Sequence, residues 1–229
     1  MMTRQIVVVG ASRGIGREMV LQLARNQEHQ ILALSRNVDR MNESFGHLEN
    51  VNTGQLDLSS HDVKAQCEAL FARFHQIDIL INNAGLLINK PFDELTREDF
   101  ELSYATHVFG VIETVQAALP KLDKSHVLNI SSMGGFQGSV KFPGLCAYST
   151  SKAAIVSFTE LFAEEYKDTN IAMNCLCLGA AQTEMLNEAF PGYEAPLSAT
   201  EMADFIVRFA LSGQQWMRGK ILPVSLSTP

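Results

Sequence analysis

At 229 residues and 25.3 kDa the chain is long enough to bury a substantial core and short enough for one domain. Hydrophobic residues at 46% and charged residues at 19% are globular proportions and exclude a disordered chain. A formal charge of -7 and a pI near 5.4, with no basic stripe, argue against nucleic acid and anionic membrane as partners.

The first residues, MMTRQIVVVGASRG, carry an apolar run too short and too soon interrupted by glycine for a signal peptide or membrane span. Cytoplasm is the expected compartment. QIVVVG predicts a first strand that runs straight into GASRGIG, and Ile15, Met19, Leu23 and Ala24 form a helical stripe behind it. Gly10, Gly14 and Gly16 at this turn would let backbone N–H groups approach a pyrophosphate, whose charge the helix amino terminus also favours. A purely structural turn would use glycine too, and the spacing is not G-x-G-x-x-G; the strand, turn and helix context carries the nucleotide-binding expectation.

QILALS predicts a second strand ending in LSRN, which places Arg36 twenty residues past Gly16. An acidic residue near that distance would bind ribose hydroxyls, whereas arginine answers a 2′-phosphate. NADP(H) is therefore the preferred cofactor, with NAD(H) the second choice. Arg13, inside the glycine loop, either adds charge for the same phosphate or is a solvated loop residue.

Further along, a weaker strand near NTGQLDL precedes a helical stripe of Val63, Cys67, Leu70, Phe71 and Phe74. Strands IDILIN, HVLNIS, IAMNCLCL and KILPVS then alternate with helices expected from Leu95 to Leu119, Tyr148 to Tyr166 and Thr200 to Leu211. Nearly continuous apolar strands between amphipathic helices predict an α/β fold, a Rossmann-like doubly wound parallel sheet of about seven strands with helices on both faces. No linker divides residues 1–229. Residues 184–198, with LNEAFPGYEAPLS, read as a connection or as a loop facing substrate. Cys175 and Cys177 form a C-x-C pair with no second cluster, better read as buried strand thiols than as a metal site.

In AYSTSKAA, Tyr148 and Lys152 stand four apart, on one face if the stretch is helical. Alone they are as easily a surface pair as a proton-transfer pair. In company they are more specific. GASRGIG, Asp57 in LDL, NNAG at 82–85, NISS at 129–132, Tyr148 with Lys152, and LGAAQT at 178–183 together resemble the classical short-chain dehydrogenase/reductase family over nearly the whole chain.

That resemblance implies strand order 3-2-1-4-5-6-7 and a role for each matching residue. Gly10, Gly14 and Gly16 would approach the pyrophosphate, Ser12, Arg13 and Ile15 would bind the cofactor beside them, and Arg36 would meet its adenosine end. Asp57 would receive the adenine amino group, with Leu58 beside the ring. Asn82, Asn83, Ala84 and Gly85 would form the turn next to the cofactor, Gly179 would bind the cofactor, and Thr183 would bond the nicotinamide carboxamide. Ser132 would be the catalytic serine and Tyr148 the proton donor. Lys152 would hold the nicotinamide ribose and lower the tyrosine pKa from its free value of about 10.

The chain departs from the family pattern at four places. His107 in THVFG stands where the family usually has an asparagine that supports a kinked helix and a water near the lysine; an ordinary histidine pKa of about 6.5 would make this relay pH-sensitive. The interval of 16 from Ser132 to Tyr148 is longer than usual, which leaves Ser131, and more remotely Ser139, as rivals. Leu178 replaces a proline, loosening the chain near the nicotinamide. The tail PVSLSTP lacks a common glycine pair.

Leu87, Ile88, residues 134–142, Leu186, Phe190 and Tyr193 suggest a pocket for a neutral or partly apolar carbonyl or alcohol, although each could instead seal the core. The resemblance also implies a homodimer or homotetramer through helices near 100–118 and 150–166, with Val111, Val115, Ile155 and Phe158 as candidate contacts. The rival function is an NADP(H)-binding regulatory or sensor protein with little turnover.

Overall fold

A computed structural model describes residues 3–226. Among them, seven parallel strands form one sheet in the order β3-β2-β1-β4-β5-β6-β7. The strands are β1 (Gln5–Val9), β2 (Gln30–Ser35), β3 (Val51–Gln55), β4 (Ile79–Asn82), β5 (His126–Ser132), β6 (Ala172–Leu178) and β7 (Ile221–Val224). The helices are α1 (Gly14–Leu23), α2 (Val38–Phe45), α3 (Val63–Phe71), α4 (Arg97–Tyr104), α5 (Gly110–Ala118), α6 (Cys146–Glu165), α7 (Glu184–Ala189) and α8 (Ala199–Ser212).

Strand side chains alternate between two cores, which is why the apolar runs look continuous. Val7, Val9, Leu32 and Leu34 point into the core built with α3, α5 and α6. Ile6, Val8, Ile31 and Ala33 point into the one built with α1, α2 and α8. Cys175 and Cys177 are fully buried in the first of these cores. β7 is one of the two edge strands, where Pro223 is tolerated because the outer side of the ladder has no partner.

Several helix starts are fixed locally. Asn37 caps α2 by accepting from Arg40 N–H, while Thr96 with Asp99 and Ser198 with Glu201 form reciprocal capping boxes on α4 and α8. The segment expected as one helix from Leu95 to Leu119 is α4 and α5 joined by a π turn, Ala105–Phe109, that contains His107. β3 ends before LDL, and Leu56 and Leu58 enter the core from the loop that follows. α2 has no counterpart in the sequence expectations, and α7 lies inside the stretch read as a loop.

Val111, Val115 and Ile155, named above as candidate subunit contacts, are buried against the chain's own sheet, and Phe158 packs on the same core. The exposed apolar residues on those helices and their junction are Leu102, Phe109 and Leu161. Residues 227–229 of the PVSLSTP tail lie outside the described residues.

Candidate active site

The carboxyl ends of β1, β2, β4, β5 and β6 open into one cleft of about 680 Å³. Its first wall is the turn after β1. Gly10 has φ +87°, and a Cβ there would stand 2.5 Å from the backbone of Ala84, so β4 and the glycine loop approach closely only because the side chain is missing. Gly16 folds tighter still, since a Cβ would meet Gly10 O at 1.9 Å. Asn83 Nδ2 donates to Gly10 O at 3.0 Å and ties the two loops together.

The amino terminus of α1 that faces this turn has no side-chain cap and no acidic residue in its first turn. Its free N–H groups and dipole suit an anion, which is the character of a dinucleotide pyrophosphate. Arg36 lies exposed on the cleft lining, which also includes Asp57, whose carboxylate accepts from Ser59 N–H at 3.0 Å. At the other end Thr183 caps α7, accepting from Leu186 N–H at 3.2 Å, which leaves its hydroxyl hydrogen for another partner.

β5 and α6 build the reactive corner. Tyr148 and Lys152 share one face of α6, with Lys152 Nζ 5.9 Å from the tyrosine ring centroid. Nζ donates to Ile130 O at 2.9 Å, and burial lowers the lysine pKa from 10.5 to about 8. Burial pushes the Tyr148 phenol above its ordinary value, and the neighbouring Ser132 hydroxyl partly offsets this. In the chain alone, the Tyr148 phenol is thus set by burial and Ser132, and the acidifying effect expected of Lys152 is not seen.

A sheet of this order with a glycine turn, an uncapped helix and a serine, tyrosine and lysine on one cleft is shared with known proteins. The family profile described as short chain dehydrogenase matches residues 4–194. The chain belongs to the short-chain dehydrogenase family. Dehydrogenase/reductase SDR family member 6 of Xenopus laevis is 29% identical over 204 residues, covering 89% of this chain and 80% of the relative. The 3-oxoacyl-(acyl-carrier-protein) reductase FabG of Chlamydia trachomatis is 26% identical over 246 residues, covering 98% and 96%. Among solved structures, an alcohol dehydrogenase of Thermococcus sibiricus complexed with 5-hydroxy-NADP superposes with a TM-score of 0.86 at 25% identity, covering 100% of this chain and 99% of that one.

Within this short-chain dehydrogenase, most residues singled out in the sequence line the cleft together; Gly16, Asn82, Ile88 and His107 do not, and of residues 134–142 only Gly134, Val140 and Phe142 do. The hydroxyls of the rival serines are engaged with backbone carbonyls. Ser131 is buried and donates to Lys152 O at 2.8 Å, and Ser139 donates to Met133 O and Phe136 O. The long interval before Tyr148 is gathered up by Lys141, whose ammonium reaches Gly134 O, Phe136 O and Ser139 Oγ at 2.9, 2.6 and 2.8 Å. Leu178 is buried at the end of β6, and the next residue is held by pairing with β7, where Gly179 N–H donates to Val224 O at 2.8 Å.

His107 is fixed from both sides. Leu86 N–H donates to its Nε2 at 3.1 Å, so Nε2 carries a lone pair. Nδ1–H then donates to Ser151 Oγ at 2.8 Å, and that hydroxyl donates to Tyr148 O at 2.8 Å. Burial first, then the Lys152 ammonium, hold its pKa well below 6.5. The pH sensitivity expected near neutrality is thereby displaced to acid. Wild type and His107→Asn should give superimposable pH–rate profiles between about pH 6 and 8. An acid limb present only in the wild type would show that His107 takes up a proton in that range.

Ser151, Lys141, Arg40, Glu184 and Glu188 were not singled out in the sequence. Each acts through partners supplied by the fold.

Proposed function

We propose that this chain is an NADP(H)-dependent oxidoreductase that transfers a hydride between the nicotinamide and a small or medium, mostly neutral carbonyl or alcohol. The observation that carries this reading is the meeting of Ser132, Tyr148 and Lys152 at one end of a cleft whose other end offers an uncapped helix terminus and Arg36. The nicotinamide, when bound, supplies or accepts the hydride. The protein has to orient a carbonyl oxygen and manage one proton.

Ser132 donates its hydroxyl hydrogen to that oxygen, where negative charge grows as the reaction proceeds. Tyr148 delivers its phenolic proton to the same oxygen, and Lys152 stabilises the phenolate left behind while holding the nicotinamide ribose. His107 and Ser151 fix the backbone at Leu86 and Tyr148 around this group. Arg36, with Arg13, answers a 2′-phosphate. The Thermococcus sibiricus alcohol dehydrogenase, complexed with an NADP derivative, supports the cofactor. Cleft residues Leu87, Val140, Phe142, Leu186, Phe190 and Tyr193 support an apolar or neutral substrate.

The reading extends to one catalytic domain over 1–229, with residues 184–198 facing substrate. It places the enzyme in the cytoplasm as a homodimer or homotetramer, with Leu102, Phe109 and Leu161 as exposed contacts. Among the described residues no helix is long and apolar enough to cross a membrane.

NADPH consumption against a panel of aldehydes, ketones, diketones and quinones tests this function. Turnover with one of these classes is the expected result; intact NADPH binding with no turnover on any of them would favour the sensor reading. Wild type should bind NADPH more tightly than NADH, and Arg36→Ala should narrow that ratio by about tenfold, the worth of one charge-assisted hydrogen bond. Equal binding of both cofactors by the wild type would overturn the NADP(H) preference.

A further inference from the structure

Two ion pairs cross the cofactor cleft, and neither has a part in proton transfer. Arg13, in the glycine loop, holds both carboxylate oxygens of Glu188, at 2.5 and 3.1 Å. Arg40, in the first turn of α2, places Nη2 2.8 Å from Glu184 Oε1. Both carboxylates belong to α7, on the far wall from both arginines. The walls nearly touch here, since a Cβ on Gly14 would lie 3.3 Å from Thr183 Cγ2 and 3.6 Å from Glu184 Oε2.

The four charges act as one cluster. Arg13 is held above its usual pKa by Glu188 first and also feels Glu184, while Glu188 is held below its own by Arg13 first and also feels Arg40. Arg36, at the end of β2 on the same rim, is exposed and has no hydrogen-bond or ion-pair partner among the described residues. Of these three guanidinium groups, two already carry an anion.

A carboxylate and a phosphate monoester occupy a guanidinium in the same bidentate geometry, but the monoester brings more acceptor oxygens and a charge of about −1.5 to −2 at neutral pH. The side chains in the two pairs are 34% to 61% exposed, where ion pairs are weak enough to exchange. We propose that Glu184 and Glu188 are stand-ins for the cofactor's 2′-phosphate: NADP(H) draws Arg13 and Arg40 off α7 to join Arg36 on the phosphate, whereas NAD(H) leaves α7 fastened.

This deepens the NADP(H) reading and rests on it. It adds Arg40 to the phosphate site and makes the two glutamates determinants of cofactor selection. It also links the two halves of the cleft, because α7 carries Met185 and Leu186 on the cleft wall and Phe190 directly after them. Unfastening α7 would free the wall that faces the substrate, and only the cofactor bearing the phosphate would do it.

The test is calorimetric titration of the full chain with NADPH and with NADH, in wild type, Glu184→Gln/Glu188→Gln and Arg40→Gln. Gln keeps the shape of each exposed glutamate while removing its charge. The double variant should bind NADPH about threefold to tenfold more tightly, with NADH changed less than about twofold, because two weak competing pairs are lost. Arg40→Gln should weaken NADPH and spare NADH. A wild type that prefers NADPH, with a double variant whose affinities are unchanged or move in parallel for both cofactors, would overturn the exchange and leave the cofactor reading standing. Equal binding of the two cofactors by the wild type would overturn that reading and this inference together.

Discussion

Tyr148→Phe is expected to slow carbonyl reduction about 10³-fold, the usual scale of a positioned general acid, while NADPH affinity stays within about twofold. The change removes one hydroxyl and keeps the ring, so the edge-to-face contact with His107, 5.6 Å between centroids at 86°, and the approach of Lys152 are preserved. What is lost is the proton that must reach the substrate oxygen as the hydride arrives. Ser132 remains able to donate a hydrogen bond, but its hydroxyl is far too weak an acid to complete the transfer. A 10³-fold loss corresponds to about 4 kcal/mol of transition-state stabilisation. Single-turnover oxidation of bound NADPH separates this step from cofactor binding and product release. A variant that turns over at the wild-type rate would remove Tyr148 from the chemistry.

The sheet was legible because strands covered on both faces are apolar at nearly every position, as QIVVV and AMNCLCL are apart from Gln5 and Asn174. α2 escaped because its packing face consists of Met41 and Phe45, with Val38 half-buried beside them, set in a polar, charged segment. β3 was weak for the opposite reason: only Gly54 of its five residues is buried, and it has no side chain to signal the pattern. The break between α4 and α5 follows from tertiary contacts of His107 with Leu86 and Ser151, 21 and 44 residues away in sequence, which no local periodicity encodes.

The site divides in the same way. Short words such as GASRGIG and AYSTSKAA bring their own geometry, since a strand-to-helix turn or one helical turn fixes which groups converge. The pairs Arg13–Glu188 and Arg40–Glu184 join residues 175 and 144 apart, and only the folded cleft puts them face to face. Ser131, left as a rival by the sequence, lines the same cleft as Ser132, and only the fold shows its hydroxyl spent on Lys152 O, 21 residues away.

Lys152→Met is expected to abolish turnover to a similar degree, and also to alter the pH dependence of stability in a direction set by the burial of the ammonium. Without the ammonium only the Ser132 hydroxyl is left to stabilise a phenolate against the burial that already raises the Tyr148 phenol, and the nicotinamide ribose loses a donor. The stability effect has the opposite sign from a surface lysine in an ion pair. Burial lowers the folded pKa of Lys152 from 10.5 to about 8, and the thiols of Cys175 and Cys177 oppose this only in part.

Between those two values the unfolded chain binds more protons at this residue than the folded chain does, so wild-type stability rises with pH across the window. Below about pH 8 the lysine is charged in both states and the whole penalty of burying it is present, about 3 kcal/mol at 1.36 kcal/mol per pKa unit. Methionine carries none of that penalty, although it leaves Ile130 O without its donor. The wild-type stability minus that of the variant should therefore climb as pH rises from 7 toward 10, a comparison in which the remaining titrating groups largely cancel. Urea unfolding of both proteins at each pH measures it. A flat difference would mean that the ammonium is as well solvated in the fold as outside it, and the same lysine would then be too weakly coupled to its surroundings to govern the phenol. If the slope is present, reduction should lose rate as pH rises through about 8, where the charge that stabilises the phenolate disappears.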